Sequence, residues 1–451
     1  MATKKKMLQA AAGNAGGDPL DITDVFSTHL YTGTGSAQTI TNNIDLTEGG
    51  LVWVKHRGQA GFDHMLADTE TGVQMYQSSN SSTQSLGPNT TALTSFNSNG
   101  FSIGSLNDYN YGVAPKEFVS WSFRKAPKFF DCVQFSGTGS QQSISHALDS
   151  DVGFLIVKCT SAGGTSWACW HRTFSSNQFI QLNANNPVGS NSVFFPVAPT
   201  SSQFTVGTDG DVNQSGATYV AYLFAHNNND GTFGPDSDQD IIKCGSFTTD
   251  SSGLATVNLG FEPQFLIRRQ LSGGNTWNRN WDIYDSMRGI TMNNDYALEA
   301  NTSDAEASMG NQQNLTPTGF TVHESSANQT FIYISIRRGQ LAPPEAGTEV
   351  FAIDTMGSTG DGKEPGFRSG FPVDMQIYTR RAGLNKINST RLNQGEYLLT
   401  DLSTAEASTS SEQFDYNNGF YAGTSTSSTY ISWMWKRAPS YFDAACYTGT
   451  G

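Results

Sequence analysis

Residues 120–139 read SWSFRKAPKFFDCVQFSGTG, and residues 432–451 read SWMWKRAPSYFDAACYTGTG. Each stretch is an alternating aromatic strand, a basic pair, Ala-Pro, Phe-Asp and then a Gly-Thr-Gly turn. An earlier turn, LYTGTG, closes at Gly35. Gly139 follows Gly35 by 104 residues, and Gly451 follows Gly139 by 312, three times that spacing. The period predicts two further unit starts near positions 243 and 347. Weaker versions stand there: IIKCGSFTTDSSG from Ile241 and VFAIDTMGSTG from Val350.

Each period repeats the same order of parts. A mostly apolar strand comes early, as in GGLVWVKHRG (49–58), VGFLIVKCTSAGG (152–164), FEPQFLIRRQLSGG (261–274) and FPVDMQIYTRRAG (371–383). A polar region follows, then a Gly-Phe element such as SNGFSIG (98–104) or NGFYAG (418–423). An alternating aromatic strand closes the unit. Strands bounded by Gly, Asn and Ser turns at this spacing predict two packed antiparallel sheets per unit. The expectation is an all-β tandem array of about four β-sandwich repeats of ~100 residues, strung like beads with modest interfaces. Its divisions are an attachment segment and hinge over 1–23 and repeats over 24–131, 132–240, 241–348 and 349–443. Residues 444–451 form the first strand of a further repeat or a capping strand. The uncharged, proline-free YTGTG makes a poor exposed edge, which favours a longer fibre over a cap. Helix is expected only as a turn or two, within 285–300 and in TAEAS.

Composition narrows the class of function. Aromatic residues make up 12 % of the chain, enough for several cores, and charged residues only 15 %. The net charge of −14 repels nucleic-acid phosphates and anionic lipid, so neither nucleic acid nor membrane is an expected partner. Five cysteines without a Cys-x-x-Cys pair read as buried free thiols rather than a disulfide framework. The apolar run Met7–Ala12 is too short and too interrupted for a signal peptide.

The motifs KKKMLQAAAGNAGG, DVFSTHLYTGTGS, GGLVWVKHR, LTSFNSNGFSIG, SWSFRKAP and FFD together resemble a repeat family in virion structural proteins of tailed bacteriophages, notably marine ones. TYVAYLFAHN and SWMWKRAPSYFD fit the same family, and the resemblance covers essentially the whole chain. It implies a tail fibre or tail-associated adhesin, located in the virion tail and assembled in the host cytoplasm. Its partners would be other tail or virion proteins and a host cell-surface glycan or receptor, and analogy with fibres implies a homotrimer. Lys4, Lys5, Lys6, Met7 and Leu8 become the expected attachment residues.

Several catalytic signatures are missing from the sequence: no HExxH, Walker loop or paired ligand histidines. The expected mode is binding, without turnover. Trp167, Trp170, His171 and Arg172 form an aromatic-polar cluster suited to stacking on a sugar and bonding its hydroxyls. Asp209, Asp211 and Asn213 place oxygens at alternate positions, the pattern of a weak Ca²⁺ site, and Asp236, Asp238 and Asp240 do the same; no other cofactor is expected. A capsid-surface decoration or head-fibre protein, a polysaccharide-degrading tail enzyme and a secreted bacterial adhesin remain open alternatives.

Overall fold

The computed structural model describes residues 19–273, 279–292, 294–356, 365–381, 383, 385–409, 412–423 and 429–447. The attachment residues Lys4 to Leu8 lie outside these. The fold is all-β: eight antiparallel sheets form four repeated sandwich-like units, with only short helices between them. Among the described residues of 285–300 there is a strand, Asp295–Glu299, and no helix, because that segment extends the large sheet of its unit.

The first unit shows the plan. Helix α1 (Ile22–Val25) leads into strands β1 (Phe26–Thr32), β2 (Gln38–Thr41), β3 (Gly50–His56), β4 (Met65–Asp68), β5 (Gln77–Ser78), β6 (Leu93–Asn97), β7 (Gly100–Ile103) and β8 (Glu117–Arg124). A large sheet has the order β1-β8-β3-β4-β5, and a small sheet β2-β7-β6 covers one of its faces. Val52, Val54 and Phe118 point into that gap with Ile40, Phe101 and Ile103, the ordinary core of a sandwich. The opening strand pairs with the closing strand of its own unit: β1 with β8, 130–136 with 218–225, 242–248 with 330–337, and 351–355 with 430–435. No described unit is completed by the strand of the next one.

The Gly-Thr-Gly turn has a physical cause. Gly35 and Gly139 take φ of +70° and +72°, and a Cβ on Gly33 or Gly137 would sit 2.1 or 2.2 Å from a neighbouring carbonyl oxygen. A buried asparagine ties each turn down. Asn110 accepts from Thr34 N at 2.7 Å and from Gln38 Nε2 at 2.9 Å, and donates to the carbonyls of Gly104 and Ser36. Asn213 makes the same four bonds, with Thr138, Gln142, Gly207 and Ser140.

The beads-on-a-string expectation fails at the other face of the large sheets. Successive residues of a strand point to opposite faces, so the run Leu51-Val52-Trp53 buries side chains on both. Leu51, Trp53, Val119, Trp121 and Phe123 of unit 1 enter one core with Phe154, Ile156, Tyr222 and Phe224 of unit 2 and Phe265, Ile267, Ile334 and Ile336 of unit 3. Three large sheets thus stand back to back as the sides of a triangular prism. Their contacts repeat around it. Trp121 of unit 1 donates Nε1 to Asp285 of unit 3 at 3.0 Å, and Tyr222, at the same position of unit 2, donates its hydroxyl to Asp68 of unit 1 at 2.8 Å. Trp167 of unit 2 donates to Ser78 O of unit 1, and Trp281 of unit 3 to Gln181 O of unit 2, both at 2.9 Å. Each unit grips the one before it and unit 1 grips unit 3, which closes the ring. Unit 4 stays outside this core and has its own, built on Phe367, Tyr378, Phe414, Phe420 and Met434.

Candidate functional site

A cleft of about 1360 Å³ opens where units 1, 3 and 4 meet. One wall is β1, the edge strand of its sheet, whose outer backbone groups have no strand to pair with. Asn417 of unit 4 takes that place with a side-chain amide. It accepts from Leu30 N at 3.3 Å and donates back to Leu30 O, and its Nδ2 lies 3.4 Å from His29 Nε2. Burial pushes His29 down to about 4, so the ring is neutral at neutral pH.

An ionic chain runs from the prism core to the cleft. Arg288, whose guanidinium lies 5.4 Å from the Trp121 ring centre, bonds Asp285 at 2.6 Å and Glu306 at 3.0 Å. Arg57 of unit 1 forks onto both Glu306 oxygens, at 2.9 and 2.7 Å, and reaches Asp415 of unit 4 at 2.8 Å. Burial acts to raise both carboxyls, yet they end on opposite sides of the usual range. Two guanidiniums hold Glu306 below it, while Asp415 shares only Arg57 and stays raised. A second cluster docks unit 4 on unit 3: Arg437 forks onto Glu262 at 2.9 and 2.8 Å, and its backbone N–H bonds Asp374 at 2.7 Å.

These groups are fixed by one another. Every carboxylate on the cleft wall already has a partner within the protein, and His29 is a neutral ring beside an amide. The cleft wall also carries uncharged polar side chains, among them Thr32 and Asn418. Such groups match the alternating donors and acceptors of a neutral, hydroxyl-rich molecule.

The sequence-derived sugar platform is not available at the surface. Trp167 and His171 are fully buried and Trp170 is 4 % exposed, because the strand Ala168–His171 belongs to a prism wall. His171 bonds Thr173 and lies 3.2 Å from Tyr333 O of unit 3, and only Arg172 faces solvent. The proposed Ca²⁺ ligands are committed elsewhere. Asp209 caps the short helix Gly210–Asn213, Asp211 accepts from Ser166 N at 2.8 Å, and Asn213 is the turn tether. Asp240 accepts from Asn229 N and Gly231 N and pairs with Lys243, away from the exposed Asp236 and Asp238. Among the described residues, no three His, Cys, Asp or Glu side chains gather to hold an ion. The five cysteines are free, and four are buried.

Arg57, Glu306, Asp415 and Asn417 are not visible as a site in the sequence, since they come from three units. The family described as "Domain of unknown function (DUF7483)" matches residues 21–337, and the chain belongs to it. That span begins at the residue before α1 and ends with the closing strand of unit 3, so it covers the three-unit prism and stops before unit 4. No curated protein matches the chain. Among the described residues, no helix is long and apolar enough to cross a membrane.

Proposed function

We propose that this chain is a structural component of a bacteriophage virion, a tail fibre or tail-associated adhesin that works by binding. It attaches through its N-terminal segment to the tail, and its cleft between units 1, 3 and 4 contributes to holding a host-surface glycan. The phage placement rests on the motif resemblance along the chain. The binding mode rests on one observation: Arg57, Glu306 and Asp415, where the three units meet, are spent on each other, while the cleft wall also carries uncharged polar groups such as Thr32 and Asn418. General acid–base or nucleophilic chemistry needs a group free to accept a proton or attack, and Glu306 and Asp415 are both held by Arg57. Individual glycan contacts would be weak, and several copies on one particle raise the avidity.

Immunogold labelling of virions with an antibody to this chain tests the placement. Gold on the tail is expected; gold on the capsid or on no particle overturns it. Host surface polysaccharide passed over the immobilised protein should be retained and emerge uncut. Oligosaccharide release with turnover contradicts the binding mode, and Asn417→Ala should reduce retention if the cleft is the site.

A further inference from the structure

Leu30 turns its N–H and C=O outward from the sheet, to Asn417, so every second residue of β1 does the same: Phe26, Thr28 and Thr32. Most of these groups are spent. The Phe26 N–H bonds Ile22 O, the Asn417 amide takes both groups of Leu30, and Thr32 O accepts from Gln38. Thr28, which lines the cleft, has neither its outward N–H nor its outward C=O bonded to a described residue, and its buried hydroxyl is without a partner as well. The same position is capped in the next two units. Cys132 and Cys244 stand opposite Tyr222 and Ile334 as Thr28 stands opposite Trp121. Cys132 O accepts from Lys125 of unit 1 at 2.9 Å, and Cys244 N donates to His226 Nδ1 of unit 2 at 3.1 Å. Each cap comes two residues after the matching Phe123 or Phe224 on the closing strand of the preceding unit. Around the ring, the residue that corresponds for unit 1 is Arg338 of unit 3, two after Ile336. Arg338 is spent instead on the Arg437 carbonyl of unit 4 and on Glu262, each at 3.4 Å.

We propose that Thr28 is the polar anchor of the cleft, and that its backbone N–H and C=O grip two adjacent hydroxyls on one sugar ring of a glycan. This rests on the reading of the cleft as a glycan site and adds the feature of the glycan that it selects. A donor and an acceptor side by side need a partner that presents an acceptor beside a donor. Two neighbouring ring hydroxyls do so, since each oxygen both accepts and donates. The Asn417 carboxamide already makes a two-bond contact of this kind with Leu30, one step along the strand. A peptide strand does not fit the opening. Strand addition needs successive outward residues, and on either side of Thr28 those of Phe26 and Leu30 are already engaged. The opening is one residue long, the span of a diol.

Amide exchange of the full chain with and without host surface polysaccharide, read at Thr28 by backbone NMR, tests this. The Thr28 amide should slow about tenfold when the polysaccharide binds. Thr28→Pro deletes the edge N–H and spares the ladder to β8, because Thr28 and Trp121 exchange no ladder bonds; retention should weaken about tenfold. As competitors, methyl glucoside, galactoside and mannoside carry adjacent ring hydroxyls, and their 3-deoxy counterparts carry none. At least one parent should displace the polysaccharide, and its 3-deoxy form should not. Displacement by both forms alike, or by no parent, overturns the diol. Polysaccharide that is retained without slowing Thr28, or is retained equally by Thr28→Pro, overturns the anchor and leaves the glycan reading standing. Polysaccharide that is not retained at all overturns both.

Discussion

Trp121 and Trp433 hold the same position on the same strand of units 1 and 4, and they meet different fates. Trp121 is fully buried, with its indole N–H on Asp285 and a guanidinium over its ring. Trp433 lies half-buried on an open face. The repeat therefore specifies a side of a prism, and whether that side becomes core depends on its neighbours. Units 1–3 supply neighbours to each other; unit 4 does not find them among the described residues.

Paired substitutions sharpen this contrast most. Trp121→Ala should cost about 3–5 kcal/mol, from lost burial and a large cavity. Trp433→Ala, on the open face, should cost about 1 kcal/mol. Urea unfolding of the two variants side by side measures the difference, and similar costs would mean that the two faces are equally buried.

The dock between prism and unit 4 comes next. Arg57→Ala leaves Glu306 and Asp415 without their shared cation, a loss of about 3 kcal/mol for a buried pair broken on one side. The expected readout is faster proteolytic cleavage within residues 341–349 while units 1–3 stay resistant. Within unit 1, Asn110→Ala removes four bonds at the Gly-Thr-Gly turn and should cost about 2 kcal/mol through unsatisfied backbone groups. Asn110→Asp, which keeps the acceptor and loses the amide donors, should fall between, as thermal melts of the three proteins would show.

Acid separates the regions more gently. All seven histidines precede unit 4. Burial lowers His29 to about 4 and His171 to about 3, from the usual 6.5. Because the folded-state values are depressed, the neutral rings favour the fold fully above pH 6.5. That contribution is lost as pH falls through the window from 6.5 toward 3, at about 1.4 kcal/mol per pH unit for each histidine. Lowering the pH from 7 to 4 should therefore lower the prism's melting temperature, and His171→Gln should flatten that slope.

The sequence made the units legible and hid their assembly. The 104-residue spacing of Gly35 and Gly139 follows from a turn that only glycine fits, so the period survives on the page. The all-β class follows from the alternation in strands such as Glu117–Arg124. The shared core was foreshadowed by LVWV and FLIV, runs apolar on both faces, but pairing Trp121 with Asp285 across 164 residues needs the ring to be closed first. The cluster around His171 misled because an aromatic-polar strand looks alike whether it faces solvent or a sister sheet. The Asp209–Asn213 loop misled because Asn213 recurs 103 residues after Asn110, and that recurrence signals a turn tether where alternate oxygens suggested a cation. The cleft could not be read at all, since Leu30, Arg57, Glu306 and Asn417 converge only after the prism forms and unit 4 docks on it.

Native-state hydrogen exchange of the full chain tests the closed prism most directly. The closing strands of units 1, 2 and 3, residues 117–124, 218–225 and 330–337, share one core and should exchange as a single slow class with one opening free energy. Strand 430–435 of unit 4 should open independently of them. Three distinct opening free energies for the first three strands would show that the units are separate beads, and would contradict the prism.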